Sequence, residues 1–162
     1  MKSQRLQFHR YEPQDFEKYF LLMNDLEVTK LITGRVMPRD EAQDHYDKIL
    51  DDNVYTDTYG WYYATDTIKD EFIGLAKVVS FGMTEAEIGY AIRPEHWRKG
   101  YGSEISTFLV DYAKEIDLFD ALIGIIDPRN GASKKILERC GFHLCERGKF
   151  KGAPAETYRL QL

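Results

Sequence analysis

Apolar residues recur along the chain with two different periods, and these periods predict which stretches are strands and which are helices. At the N-terminus, Leu6 and Phe8 alternate with polar neighbours, a period of two that predicts a strand over 6–11. Apolar side chains recur at helical spacing over 13–25 and 39–50, and a proline at the start of the first stretch suits the first turn of a helix. The first third of the chain is therefore predicted to be one strand followed by two helices.

The middle of the chain favours three consecutive strands. Apolar runs at 60–64 and 71–79 predict two strands joined by a polar turn. A third strand is predicted over 87–92, and it stops before Pro94 because proline cannot donate to a strand ladder. Three neighbouring strands of this kind predict a sheet at the centre of the fold.

The C-terminal half of the chain returns to an alternation of helices and strands. Helical spacing predicts a helix that begins near Ser103, and an apolar run at 121–126, too short for a globular helix, predicts a buried strand. A further helix is predicted over 132–139, and two strands enclose the loop at 151–154. The order β-α-α-β-β-β-α-β-α-β-β, with about seven strands and four helices, favours an α+β fold in which helices cover a mixed sheet.

Composition and charge limit the classes of protein to which the chain can belong. Its 162 residues suit a single domain, expected to span 1–162, and an apolar fraction of 43% is enough for a core. A net charge of −5 argues against a nucleic-acid partner, because nucleic-acid-binding surfaces are usually basic. Cys140 and Cys145 are too few for a disulfide framework, and no stretch resembles a signal sequence or a membrane span. We therefore expect a cytoplasmic protein with no membrane partner.

A glycine-containing loop lies between the strand predicted at 87–92 and the helix that follows it. Gly100 and Gly102 stand beside the basic residues Arg98 and Lys99, where the helix begins. The first N–H groups of a helix have no partner within the helix and carry the positive end of its dipole, so they bind phosphate readily. The spacing matches neither common nucleotide-binding motif, G-x-x-x-x-G-K-[ST] or G-x-G-x-x-G. By itself, the loop therefore leaves an ordinary turn and a phosphate site both open.

Two stretches resemble motifs of a known family. The run G-Y-A-I-R-P-E-H-W-R-K-G-Y-G-S-E-I at 89–105 resembles the acetyl-CoA-binding motif of the GNAT family of N-acetyltransferases, in the subgroup that includes the ribosomal-protein N-terminal acetyltransferases. Downstream, Asn130 and Ser133, followed by Gly141 and Phe142, resemble that subgroup's N-x-x-S…G-F signature. The resemblance implies a GNAT-like fold whose sheet is splayed between its fourth and fifth strands.

The resemblance also implies acetyl-CoA as co-substrate and assigns residues to it. Its pantetheine is expected to pair with the main chain of the fourth strand, and its diphosphate is expected to rest on the glycine loop. No metal is expected. The cofactor-binding residues expected on this basis are Tyr90, Ala91, Ile92, Arg98, Lys99, Gly100, Tyr101, Gly102, Ser103, Asn130 and Ser133.

Two positions depart from the family pattern. Trp97 stands where the family has Gln or Arg, but main-chain N–H groups supply most of the phosphate contacts, so cofactor binding is still expected. Leu137 stands where many relatives have a tyrosine that acts as general acid. That role is therefore left to another group or to water.

The reaction that the resemblance implies is direct attack of a primary amine on the thioester. An α-amino group, with a pKa of about 8, is roughly a tenth neutral at pH 7, so such an acceptor needs only a weak base. By resemblance Glu87 is the candidate base, although a strand bulge would turn it to the other face and leave Glu85 in its place. Asn130 is expected near the thioester and Ser133 near the sulfur, as proton donor to the leaving thiolate. Both residues equally suit the cap and first turn of a helix.

The function expected from the sequence is acetyl transfer from acetyl-CoA to a primary amine. The acceptor is expected to be the N-terminal amine of a protein or peptide, or a small amine, and the protein a monomer or homodimer. The alternative is a sensor or inactive relative that binds acetyl-CoA without turnover, which the absence of a tyrosine at Leu137 keeps open.

Overall fold

The computed structural model describes all residues from Met1 to Leu162, and it contains seven strands and five helices. The strands are β1 (Leu6–Arg10), β2 (Gly60–Asp66), β3 (Phe72–Phe81), β4 (Glu85–Ile92), β5 (Ala121–Ile126), β6 (His143–Phe150) and β7 (Ala153–Gln161). The helices are α1 (Phe16–Met23), α2 (Leu26–Thr29), α3 (Arg39–Tyr55), α4 (Tyr101–Ile116) and α5 (Gly131–Arg139). The prediction of seven strands is confirmed, and the number of helices differs from the prediction by the one-turn α2.

The strands form one mixed sheet in the order β1-β2-β3-β4-β5-β7-β6. Neighbouring strands are antiparallel except β4 and β5, which run parallel because α4 carries the chain back along the sheet between them. Helices α4 and α5 contribute to the core on one face of the sheet, and α1 and α3 to the core on the other. The mixed sheet covered by helices that the sequence predicts is confirmed.

The sheet opens between β4 and β5. These strands pair only from Glu85, opposite Ala121, to Glu87, opposite Ile123, although β4 continues to Ile92 and β5 to Ile126. The unpaired C-terminal halves of the two strands therefore border a gap in the sheet. The splay that the sequence predicts between the fourth and fifth strands is confirmed.

Alternation along β4 divides its side chains between two cores. Ile88 belongs to the larger core, to which α4 contributes Ile105. Ala91 belongs to the core on the opposite face, together with Tyr46 of α3. Because successive side chains of a strand point to opposite faces, Glu87 lies on the same face as Ala91. The gap therefore has a face covered by α4 and α5 and a face bordered by α1 and α3.

Two helices differ from the sequence-based prediction. Helix α3 runs to Tyr55, past the predicted end at residue 50, and Asn53 in its last turn accepts from the Trp61 N–H at 2.8 Å. Helix α2 is a single turn capped by Asp25, whose carboxylate accepts from the Glu27 N–H at 2.8 Å. Four residues are too few for a helical period to show in the sequence. None of the helices is both long and apolar enough to cross a membrane.

Candidate functional site

The N-terminus of α4 opens toward the gap without a side-chain cap. Gly100 occupies the cap position with φ +84°, a left-handed conformation that favours glycine. The Glu104 N–H makes the first turn's hydrogen bond, to the Gly100 carbonyl at 3.1 Å, so the N–H groups of Tyr101, Gly102 and Ser103 have no acceptor within the helix. Such a helix end attracts an anion, because its N–H groups and its dipole both favour negative charge.

Arg5 stabilises the loop before α4 through contacts with three of its neighbouring residues. Its guanidinium donates to the Glu104 carboxylate at 2.7 Å and to the Lys99 carbonyl at 3.1 Å, and it lies over the Tyr101 ring at 4.4 Å. Glu104 also accepts from the Ser3 hydroxyl and from the Arg5 N–H. Burial raises the pKa of Glu104, but these hydrogen bonds outweigh it and hold the pKa below its ordinary value. Glu104 therefore anchors the loop to the N-terminal segment of the chain.

The side chain of Tyr101 points into the protein. Its hydroxyl donates to the Asp66 carboxylate at 2.7 Å, and His96 packs edge-on against its ring. Hydrogen bonds from the Lys69 N–H, from Tyr101 and from the Ile68 N–H lower the pKa of Asp66 to about 2. Only the main chain of Tyr101 is therefore available at the open helix end, whereas the side chains of Arg98 and Lys99 are exposed beside it.

Main-chain groups of β4 line one side of the gap. The Arg93 N–H donates to the Ile73 carbonyl on β3, and successive residues of a strand direct their main-chain groups to opposite neighbours. The main-chain groups of Ile88, Tyr90 and Ile92 therefore point toward the gap, and those of Ala91 point toward β3. The Ile92 carbonyl accepts from Trp97 Nε1 at 2.7 Å, which fixes the end of the strand beneath the loop.

The second helix beside the gap, α5, has a side-chain cap at its N-terminus. Asn130 is the N-cap, and its Oδ1 accepts from the Ser133 N–H at 3.1 Å. The Ser133 hydroxyl lies 3.3 Å from the hydroxyl of Tyr90 on β4, so these two side chains meet across the gap. Burial raises the pKa of Tyr90, partly offset by its bond to Ser133. Asn130 and Ser133 therefore serve the helix end, while the Asn130 amide N–H groups and the Ser133 hydroxyl remain able to face a ligand.

Two positions that bear on the cofactor prediction are tightly enclosed. A Cβ at Gly102 would lie 3.1 Å from Ile136 and 3.4 Å from the Tyr90 ring, so this glycine allows α4 to approach β4 and α5. Leu137 is buried against Gly124, where a Cβ would meet its side chain at 2.8 Å. The position of the missing tyrosine is therefore a core position here.

On the opposite face, Glu87 is paired with a lysine that the sequence did not connect with it. Lys77 Nζ lies 2.7 Å from Glu87 Oε1, and each side chain is only 16% exposed. The register between β3 and β4 is unbroken along β4, so Glu85 and Glu87 share a face, and Glu85 pairs with Arg159 at 2.8 Å. Burial lowers the pKa of Lys77, and the neighbouring Glu87 only partly opposes this. No three His, Cys, Asp or Glu side chains lie close enough together to hold a metal ion.

These features coincide with a family match. A family model described as an acetyltransferase (GNAT) domain matches residues 5–143. The chain belongs to the GNAT acetyltransferase family. A similar protein is YkkB of Bacillus subtilis, described as uncharacterized, which is 31% identical over 98 residues, 59% of this chain and 57% of YkkB. The chain thus spans little more than half the length of this relative, and the family predicted from the sequence is confirmed.

Solved structures of GNAT enzymes share the fold. RimL, a ribosomal L7/L12 α-N-protein acetyltransferase in complex with coenzyme A, superposes with a TM-score of 0.81 over 99% of this chain and 96% of its own, at 15% identity. Spermidine N-acetyltransferase from Vibrio cholerae, in complex with CoA and spermine, gives 0.79 over 97% and 95%, at 18% identity. At such identities the similarity shows the fold, and the GNAT-like fold predicted from the sequence is confirmed.

Proposed function

We propose that this protein is an N-acetyltransferase that moves the acetyl group of acetyl-CoA to a primary amine by direct attack. The observation that carries the proposal is the gap in the sheet, where β4 and β5 pair over only three positions and then separate. The uncapped N-terminus of α4 opens at the same place. A long anionic thioester suits a cleft that has a phosphate-binding end and a row of main-chain groups.

The proposed diphosphate site is the loop from Arg98 to Ser103. The N–H groups of the first turn of α4 donate to phosphate oxygens, and the exposed side chains of Arg98 and Lys99 add positive charge. The pantetheine amides then pair with the main chain of Ile88 and Tyr90 as an added strand would. Asn130 offers its amide N–H groups from the other side of the gap.

The proposed base is Glu87. As the amine nitrogen bonds to the thioester carbonyl carbon, Glu87 accepts the proton that the nitrogen loses, and a main-chain N–H directed into the gap stabilises the oxyanion. Glu87 already binds one ammonium group, that of Lys77 at 2.7 Å. An acceptor amine that displaces Lys77 can therefore form the same ion pair with Glu87 before it loses its proton.

The proposed proton donor to the departing sulfur is Ser133. When the carbon–sulfur bond breaks, the Ser133 hydroxyl donates to the thiolate. Tyr90, 3.3 Å away, relays a proton from solvent back to Ser133, so that both hydroxyls are restored. Tyr90 is thus the hydroxyl that takes over from the tyrosine replaced by Leu137. The sequence placed Tyr90 among the cofactor-binding residues for its main chain and did not reveal this second use of its side chain.

The proposed acceptor is a protein or peptide N-terminus, with a small amine as the second candidate. Helices α1 and α3 border the face that carries Glu87, and charged side chains of α3 are mostly acidic. An acidic surface raises the local concentration of cationic amines. RimL and the spermidine N-acetyltransferase, named for acceptors of these two kinds, share the fold.

The proposal is tested by measuring thiol release from acetyl-CoA with a panel of N-terminal peptides and small amines. We expect acceptor-dependent release, and Glu87→Gln should lower kcat by about 100-fold or more while the Kd for CoA stays unchanged. Raising the pH should partly restore that rate, because a larger fraction of the amine is then neutral. Glu85→Gln, on the same face and also paired with a cation, is the matched control and should retain its rate.

The second candidate is an acetyl-CoA sensor without turnover. The ion pair between Lys77 and Glu87 favours it, since a carboxylate occupied by a lysine is a poorer base. Tight CoA binding with no thiol release for any acceptor would replace the enzyme with the sensor. No CoA binding at all would overturn both.

A further inference from the structure

The amine of Lys77 lies on the same face of the sheet as Glu87, the face bordered by α1 and α3. The side chain of Lys77 on β3 is only 16% exposed, its Nζ lies 2.7 Å from Glu87, and it sits 4.9 Å from the centre of the Trp61 ring. Lysine is seldom enclosed to this degree unless it is paired, and the ion pair with Glu87 meets that need.

The path of the side chain brings its amine to the rim of the gap. Lys77 is directly opposite Gly89 on β4, and a Cβ at Gly89 would lie 2.9 Å from Lys77 Cε. The lysine stem thus crosses β4 over a residue that has no side chain. Its Nζ ends at Glu87, the residue of the last pair between β4 and β5. The amine is consequently at the point where the two strands separate.

The surroundings of Lys77 favour the loss of its proton. Burial lowers its pKa, and the positive charge of Lys151 lowers it further, whereas Glu87 and Asp52 raise it. The net change is downward. At neutral pH, the neutral fraction of this amine is therefore larger than that of an exposed lysine.

We propose that Lys77 is an internal acetyl acceptor, so that the protein acetylates its own Lys77 when acetyl-CoA is bound and no other amine is present. The inference rests on the proposed function, because it uses the same thioester and the same base. Lys77 reacts as the neutral amine, after its ammonium group has lost one proton to solvent. Its nitrogen bonds to the acetyl carbon, the carbon–sulfur bond breaks, and the electron pair leaves with the sulfur. The second proton of the nitrogen passes to Glu87, and the thiolate takes a proton from Ser133, which regains one from solvent, so that acetyl-lysine and CoA are the products.

Acetylation would also change the site. The amide formed at Lys77 carries no charge, so the ion pair with Glu87 is lost and the carboxylate becomes available to an external amine. The modified protein is therefore expected to differ from the unmodified protein in its turnover of external acceptors. The cation over Trp61 is removed at the same time.

The experiment incubates the full chain with acetyl-CoA alone and follows its intact mass, then locates the label by peptide mass spectrometry. We expect one acetyl group, on Lys77, at a rate that does not depend on protein concentration. Lys77→Arg keeps the positive charge but removes the nucleophile and should abolish the label. Lys48→Arg, at an exposed position on α3, is the matched control and should keep it.

Peptide mapping of the unaltered chain decides the outcome even if a variant fails to fold. Acetyl groups spread over exposed lysines with Lys77 unmodified, or a rate that rises with protein concentration, would overturn the inference. If the same preparation still releases thiol with an external amine, the proposed function stands while the inference falls. If the chain neither binds CoA nor releases thiol, both fall.

Discussion

The N-termini of α4 and α5 both border the gap between β4 and β5, but only α5 has a side-chain cap. Helix α5 is capped from within, by Asn130 three residues before Ser133. Helix α4 has no side-chain cap and begins at Gly100, in the left-handed region. The first turn of α4 is stabilised instead by Arg5, whose N–H and guanidinium donate to the Glu104 carboxylate.

This difference indicates that an anion binds at the N-terminus of α4 rather than at that of α5. A capped helix end has already satisfied one of its N–H donors, whereas an uncapped end leaves its donors for water or a ligand. Distant side chains can hold an uncapped end in shape without covering its N–H groups. The open end of α4 is therefore suited to phosphate, and the closed end of α5 places the Ser133 hydroxyl beside Tyr90.

The largest expected effect comes from closing the open helix end with negative charge. Gly100→Asp should weaken CoA binding by about 100-fold, or about 3 kcal/mol, because it adds a negative charge to the loop proposed to bind the diphosphate. A Cβ at Gly100 would lie 3.4 Å from the Arg5 guanidinium, so the new carboxylate also competes for the cation that anchors the loop. Gly100→Asn is neutral and tolerates a left-handed conformation, so it should lose much less affinity. Isothermal titration calorimetry with CoA measures both. Gly102 is a poorer choice, since a side chain there also presses on Ile136.

The matched substitution at the other helix end is Gly131→Asp. A Cβ at Gly131 meets no atom within 4 Å, so the change brings no clash. An acidic residue in the first turn of α5 also favours its dipole. The CoA affinity should therefore change by less than about threefold. Equal losses for Gly100→Asp and Gly131→Asp would contradict the distinction between the two ends.

Removing hydroxyls at the closed end should affect chemistry more than binding. Tyr90→Phe and Ser133→Ala should each lower kcat by about tenfold or more, with little change in the KM for acetyl-CoA. Because the two hydroxyls act in series, the double variant should be no slower than the slower single variant. Steady-state kinetics of the three variants tests this, and losses that simply add would show that the hydroxyls act separately.

Loss of the cap on α5 should reduce stability by a moderate amount. Asn130→Ala leaves the Ser133 N–H without its acceptor and should lower the free energy of unfolding by about 1 kcal/mol. Asn130→Asp restores an acceptor and should regain that stability. If the Asn130→Asp variant folds normally but binds CoA less tightly, the amide N–H groups of Asn130 are the part that contacts the cofactor. Urea unfolding and calorimetry separate the two properties.

The smallest effect is expected on stability, from Asp66, which accepts from the Tyr101 hydroxyl at the start of α4. Its folded pKa of about 2 lies below its unfolded pKa of about 4. The stability that Asp66 contributes is therefore complete above about pH 4 and is lost as the pH falls toward 2. Asp66→Asn keeps an oxygen that can accept from the Ile68 and Lys69 N–H groups, so it should be less stable than the natural chain at neutral pH by only about 1 kcal/mol or less. That difference should shrink as the pH falls toward 2. Urea unfolding between pH 2 and 6 checks this, and a difference that stays constant over this range would exclude the linkage.

The sequence predicted the elements beside the gap more completely than the contacts between them. The strand at 121–126 has the predicted bounds, and the strand predicted from residue 87 begins at Glu85. Local patterns were sufficient there, because strand period, proline and glycine are all encoded by neighbouring residues. The one-turn α2 was missed because it is shorter than any pattern that could reveal it.

The supports of the candidate site were not predictable in the same way. Arg5 and Glu104 are 99 positions apart, and their contact leaves no signal in the residues around either of them. Lys77 and Glu87 each lie on a predicted strand, but their pairing depends on the register between β3 and β4. A shift of one residue would have turned one of them to the other face.

Residues that are close along the chain were enough to predict the strands, the helices other than α2, the glycine loop before α4, and the family. The sequence allowed Asn130 as a cap but left its role open, and the folded chain was needed to show that α5 is capped while α4 is not. The folded chain was also needed to show that Tyr90 contacts Ser133 and that Lys77 forms an ion pair with Glu87. Those contacts join residues from separate elements. They exist because strand register and helix packing bring the elements to fixed distances, which no local pattern specifies.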